Sequence, residues 1–129
     1  MAAMQLAGKI LVHQVHPVKI TADVTASAVS NTLLWRGRPK AALAVRIVLP
    51  AAGSLAVLTL ADLDALAQTA PGRYVLAHMP PSAQAVRLVG DAVMGLGARR
   101  RKVPLLLAGA ALIAAGWSHA AWPKTSTRA

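Results

Sequence analysis

Residues 103–123 read VPLLLAGAALIAAGWSHAAWP and contain no Asp, Glu, Lys or Arg. A helix needs about 20 apolar residues to cross the hydrocarbon core of a bilayer, so this stretch predicts a transmembrane helix over 103–122. Pro104 falls near its start, where a missing N–H is harmless. Trp117 and Trp122 fall near its far end, where membrane-interface aromatics collect.

Working upstream, the four residues before it are Arg99, Arg100, Arg101 and Lys102. Before them, 82–98 reads SAQAVRLVGDAVMGLGA, with Arg87 and Asp91 one helical turn apart. Gly90, Gly95 and Gly97 are poor formers of an isolated soluble helix but common where membrane helices pack closely. A similar arrangement stands earlier in the chain. Residues 41–60, AALAVRIVLPAAGSLAVLTL, carry one charge, Arg46, and one proline, Pro50, which should kink a helix. They follow a basic turn holding Arg36, Arg38 and Lys40. Before that turn, 17–35 reads PVKITADVTASAVSNTLLW, in which Asp23, Ser27 and Asn31 recur every four residues and form one polar seam. The coarse correspondence of LLWRGRPKAALAV with GLGARRRKVPLLL suggests a repeated hairpin. Segments 17–35 and 82–98 are amphipathic, and their alternative is to lie in the interface.

Between the hairpins, LADLDALAQT over about 60–69 predicts a short interfacial helix capped by Thr59 and ended before Pro71 and Gly72. Leu60, Leu63, Leu66 and Ala67 should form its apolar face, and Tyr74 should anchor the interface. Residues 1–16 predict a short apolar helix ended by Pro17, and no cleavage site of a secretory signal follows it.

Composition agrees with these segments. The 129 residues are 56% hydrophobic, 29 are Ala, and there is no Cys, Phe or Glu. Lys and Arg number 14 against 4 acids, for a net charge of +10. This apolar excess excludes a disordered basic tail, and the lack of Cys excludes thiolate metal sites and disulfides. A soluble nucleic-acid binder fits the charge but not the hydropathy. The expected fold is therefore all-α: a single membrane domain over 1–129, a helical bundle of four spans in two hairpins. Dense cations in short loops favour the cytoplasmic side. That places both basic turns in the cytoplasm and both termini outside, in an inner (plasma) membrane.

Charges within spans are costly, so each is a candidate site. Counting from the helix starts puts Asp23 and Arg87 at equal depth, which predicts an ion pair, with Asp91 able to share Arg87. A similar count pairs Asn31 with Arg46 inside the first hairpin. His13, His16, His78 and His119 should all fall at the outer face, where imidazoles could hold haem or a metal ion. There is no phosphate-binding loop, no nucleophile elbow and no paired-carboxylate pattern, so nothing points to an enzyme. The leading expectation is a structural or assembly role, as a homo-oligomer or a minor subunit of a larger membrane complex. Ala110/Ala114, Ala111/Ala115 and Ala114/Ser118 would give small-residue contacts. The alternatives are an oligomeric channel or small transporter lined by the Asp23, Ser27, Asn31 seam, and a haem or metal protein. Expected partners are the lipid bilayer and anionic lipid at the basic turns.

Overall fold

A computed structural model describes residues 5–122. Among these there are seven α-helices and no strands: α1 (Leu6–His13), α2 (Pro17–Trp35), α3 (Pro39–Leu60), α4 (Leu63–Ala67), α5 (Ala70–His78), α6 (Pro81–Arg100) and α7 (Val103–Trp117). A 3₁₀ turn, His119–Ala121, follows.

Prolines set the boundaries. Pro17, Pro39, Pro71, Pro81 and Pro104 each occupy one of the first two positions of a helix, where the fixed φ is already helical and no N–H is missed. Pro71 therefore opens α5 and does not end the preceding helix. Nor does Thr59 cap that helix. It lies inside α3 and donates to the Leu55 carbonyl at 2.6 Å, while the Asp62 carboxylate accepts from the Ala65 N–H at 3.0 Å and starts α4. Leu63 and Ala67 are buried, but Leu60 stands 86% exposed, outside the expected apolar face.

The two basic turns close in the same way. In the first, Gly37 takes a φ of +76° and the Arg38 N–H reaches the Leu33 carbonyl at 2.8 Å. In the second, Arg101 takes a φ of +55° and the Lys102 N–H reaches the Gly97 carbonyl at 2.8 Å. Each is a left-handed C-terminal cap that satisfies an orphan carbonyl. Both lie at one end of the molecule, joined by a 2.7 Å hydrogen bond from Arg101 Nε to the Trp35 carbonyl.

The long helices pack in the order α3, α2, α6, α7. Small residues let the backbones approach. On α6, Ala83, Gly90 and Gly97 recur every seven residues: Ala83 faces Gly116 of α7, Gly90 faces Gly109, and Gly97 faces Leu105 and Leu106. A Cβ on Gly109 would sit 2.5 Å from the Met94 nitrogen, and one on Gly90 would sit 2.8 Å from the Gly109 oxygen. Ala110, Ala111 and Ala114 lie on the exposed side of α7, away from its contact with α6. Gly53 of α3 plays the same part against Ala22 of α2. The apolar core proper lies at the end opposite the basic turns. There α1, α4 and α5 cover the bundle, and Val12, Val57, Leu63, Val75, Met79 and Ala83 cluster with Tyr74, Trp117 and Trp122 against them.

By length and composition one described helix, the 22-residue α3, is able to cross a membrane. Helices α2 and α6 are long enough, at 19 and 20 residues, but their charges make them too polar. The 103–122 segment departs most from expectation, since α7 stops after 15 residues. It can stop there because its terminal carbonyls find side-chain donors. Ser118 Oγ donates to Ala114 at 2.7 Å, Trp122 Nε1 folds back to Ala115 at 2.6 Å, and Tyr74 Oη donates to Trp117 at 2.5 Å. A bundle of four full-length spans therefore does not follow from the helix lengths.

Two glycine substitutions separate backbone strain from packing. A Cβ at Gly37 meets nothing within 4 Å, so Gly37→Ala should cost only the left-handed penalty, about 1 kcal/mol. Gly109→Val should force α6 and α7 apart and cost about 1–3 kcal/mol. Denaturant titration followed by circular dichroism reads both, and an equal or reversed order would contradict this packing.

Candidate functional site

The polar seam of α2 is turned inward against α3 and α6, and Arg46 lies at its centre. A guanidinium has five N–H donors and no acceptor, and all five are used. Nε donates to Asp91 Oδ2 at 3.1 Å and Nη2 to Asp91 Oδ1 at 2.9 Å, a bidentate fork. Nη2 also donates to the Asp91 carbonyl at 2.8 Å, and Nη1 donates to Ser30 Oγ and Asn31 Oδ1, both at 3.0 Å. One side chain of α3 thus ties α2 to α6. Gly95, one turn beyond Asp91, makes the room: a Cβ there would lie 3.1 Å from Nη2. The sequence reading assigned Gly95 to helix packing, but it accommodates a charged group. Asn31 Nδ2 donates to Ser27 Oγ at 3.2 Å, and Ser27 Oγ contacts Met94 Sδ at 3.8 Å. The Asn31–Arg46 contact matches the depth count.

The ion pair expected between Asp23 and Arg87 is not made. Asp23 instead accepts from Lys19 Nζ, one turn before it on α2, at 2.5 Å. Lys19 is 7% exposed and also donates to the Pro50 carbonyl of α3 at 3.2 Å. Arg87 donates to Gln14 Oε1 at 2.6 Å and lies 4.1 Å over the Trp117 ring. It therefore ties α6 to the segment after α1 and to the end of α7, and does not share Asp91. Among the described residues the ion pairs are Lys19–Asp23 and Arg46–Asp91.

The four histidines separate. His16 caps α2, its Nδ1 accepting from the Val18 N–H at 3.1 Å. His13 is buried. Its Nδ1 bonds the Ile10 carbonyl, which can only accept, so Nε2 of the neutral ring accepts from Ser54 Oγ at 3.0 Å. Only His78 and His119 come together, with ring centroids 5.9 Å apart in a row that runs from Tyr74 to Trp122. Among the described residues no three His, Cys, Asp or Glu gather in a way that could hold a metal ion.

Four participants escaped the sequence reading: Lys19, Ser30, Ser54 and Gln14. The i, i+4 spacing of Lys19 and Asp23 was the available signal for the first. Ser30 was passed over beside Asn31, although a guanidinium readily takes two acceptors from adjacent residues. Comparison with known proteins finds no match: no protein family, no curated protein and no solved structure is similar to this chain.

Arg46→Leu and Asp91→Leu each strand one charge. The Asp91 side chain is 42% exposed against 20% for Arg46, so the losses should be moderate, about 1–3 kcal/mol, with Asp91→Leu the costlier because it strands the more buried ion. The double variant should cost less than the two singles summed. Asp23→Asn and Arg87→Leu share no bond and should add. Additivity in the first pair, or coupling in the second, would refute these contacts.

Burial lowers the His13 pKa from its ordinary value of 6.5, helped by nearby Lys19 and opposed by the Ile10 carbonyl and Asp23. The unfolded chain then binds the proton more readily than the folded one, so stability falls as pH drops below 6.5. His13→Gln should be less stable at pH 8 and show a shallower loss between pH 7 and 5.5. An unchanged slope would mean that other histidines carry the dependence.

Proposed function

We propose that this chain is a small integral membrane protein with a structural or assembly role, embedded by its long helices and associating with itself or with a larger membrane complex. The observation that carries the reading is the position of α3. A long apolar helix in a soluble protein is a buried core helix, but only 17% of the apolar window of α3 is buried. Leu43, Ile47, Val48, Leu55 and Leu58 face outward, as do Leu88 and Val89 of α6 and Leu107 of α7. Apolar surface on this scale needs a lipid or protein cover. The two basic turns at one end are consistent with a cytoplasmic placement under the positive-inside rule, with both termini on the other side.

Association has a second support. Asp91 stands near the middle of α6 and keeps one edge open beside Arg46. A half-open carboxylate at such depth in a bilayer is costly, and cover from another polar surface or subunit would lower that cost. A channel lined by Asp23, Ser27 and Asn31 is less well supported, because Lys19, Asn31, Met94 and Arg46 already contact these groups within the bundle. A haem or metal role is less well supported because the histidines are dispersed.

The chain should remain in the membrane pellet through carbonate at high pH and through high salt, and should migrate as an oligomer or complex in mild detergent. With Arg38→Cys and Arg100→Cys, an impermeant thiol reagent should fail to label intact cells. Carbonate extraction would overturn the membrane reading, and labelling from outside would reverse the orientation.

A further inference from the structure

The basic end of the bundle holds a groove. It lies between α2 and the α6–α7 hairpin, has a volume of about 380 Å³, and is lined by Asn31, Thr32, Trp35, Arg36, Ala98 and Leu106. That volume is within the range of small-molecule clefts, about 300–1,000 Å³. Its lining changes along its length. Leu106 and Ala98 give it an apolar wall, and Trp35 and Arg36 stand toward the turn. Arg101 lies beside this lining, next to Trp35. Its Nε is held by the Trp35 carbonyl, while its terminal nitrogens have no hydrogen-bond partner among the described residues.

The charge at this mouth is one-sided. Arg36, Arg38, Lys40, Arg99, Arg100, Arg101 and Lys102 belong to the two turns joined by that hydrogen bond, and all are exposed. The four acids of the chain are Asp23, Asp62, Asp64 and Asp91. None lies in either turn, and Asp91 is engaged by Arg46. Among the described residues these cations have no ion-pair partner, unlike Lys19 and Arg46 deeper in the bundle.

We propose that this groove is a binding site for one anionic phospholipid. Its phosphate sits between Arg36 and Arg101, and part of one acyl chain lies along Trp35, Ala98 and Leu106. The inference rests on the membrane reading above and adds to it a defined lipid class and position. An amphiphile fits where a free anion does not, because Ala98 and Leu106 give the groove an apolar wall beside its charged mouth, across from Asn31 and Thr32 of α2. An anionic headgroup fits where a choline headgroup does not, because the choline ammonium would meet the same cations. Interhelical basic pockets on the cytoplasmic side hold acidic headgroups by this chemistry.

The test uses the full chain purified in a neutral detergent and titrated with phosphatidylglycerol or with phosphatidylcholine of identical acyl chains, with bound lipid counted by native mass spectrometry. Phosphatidylglycerol should bind at one saturable site and outcompete phosphatidylcholine at least tenfold. Arg36→Gln and Arg101→Gln should each weaken it about fivefold. Thr32→Trp, at an exposed groove position, should weaken binding of both lipids by filling the channel. Arg73→Gln, at the opposite end, should leave binding unchanged. Inorganic phosphate should not compete when the ionic strength is held constant with the buffer salt. Equal binding of the two lipids, indifference to the Arg36 and Arg101 changes, or displacement by phosphate would each overturn the site. A chain that resists carbonate extraction yet binds without selectivity defeats this inference alone, whereas a carbonate-soluble chain defeats the membrane reading first.

Discussion

The arrangement of the long helices depends on one guanidinium. Arg46 has five donors and five acceptors, and those acceptors come from α2 and α6 while the residue itself stands on α3. Removing an arginine from water is costly unless its full donor set is satisfied, so the surrounding residues are constrained together. Asp91 must present both carboxylate oxygens and its carbonyl, Ser30 and Asn31 must be adjacent on α2, and a side chain at position 95 would press on the guanidinium at 3.1 Å. Arginine suits the task where lysine would not, because a planar fork fixes direction as well as charge.

Around that clasp the packing relies on absence of side chains more than on bulk. Gly90, Gly97, Gly109 and Gly116 bring α6 and α7 together, and Gly53 brings α3 to α2. Few large side chains are fully buried, and those that are, such as Val12, Val57 and Val75, belong to the end covered by α1, α4 and α5. Close backbone approach gains dispersion contacts that do not require expulsion of water, which is the form of packing available to helices whose outer faces are apolar. The same choice explains why so many leucines and valines point outward.

Helix positions were largely legible in the sequence because proline and glycine punctuate them. The short elements were not. Thr59 has the chemistry of a cap, but the apolar run of α3 continues past it, and the helix ends only where Ala61 turns extended. α5 was missed because Pro-Gly was read as a stop, although proline is also favoured in the first turn of a helix. Among the polar groups, depth counting paired Asn31 with Arg46 because both were measured from one shared turn. It failed for Asp23 and Arg87, each of which has nearer options: Lys19 one turn away for the first, Gln14 and Trp117 for the second. Equal depth is necessary for an interhelical pair but does not identify the neighbour. The end of α7 was hidden for a related reason, since its terminating donor from Tyr74 lies more than forty residues away.

The clasp also has a temporal side. The α2–α3 and α6–α7 hairpins are closed by local contacts, which form early and in the order of synthesis. Asp91 follows Arg46 by 45 residues, beyond both α4 and α5. During that interval the nascent first hairpin can offer Arg46 only Ser30 and Asn31, two neutral acceptors for an ion with five donors. The second hairpin supplies the remaining three acceptors, all from Asp91, and with them the counter-charge that the first hairpin lacks.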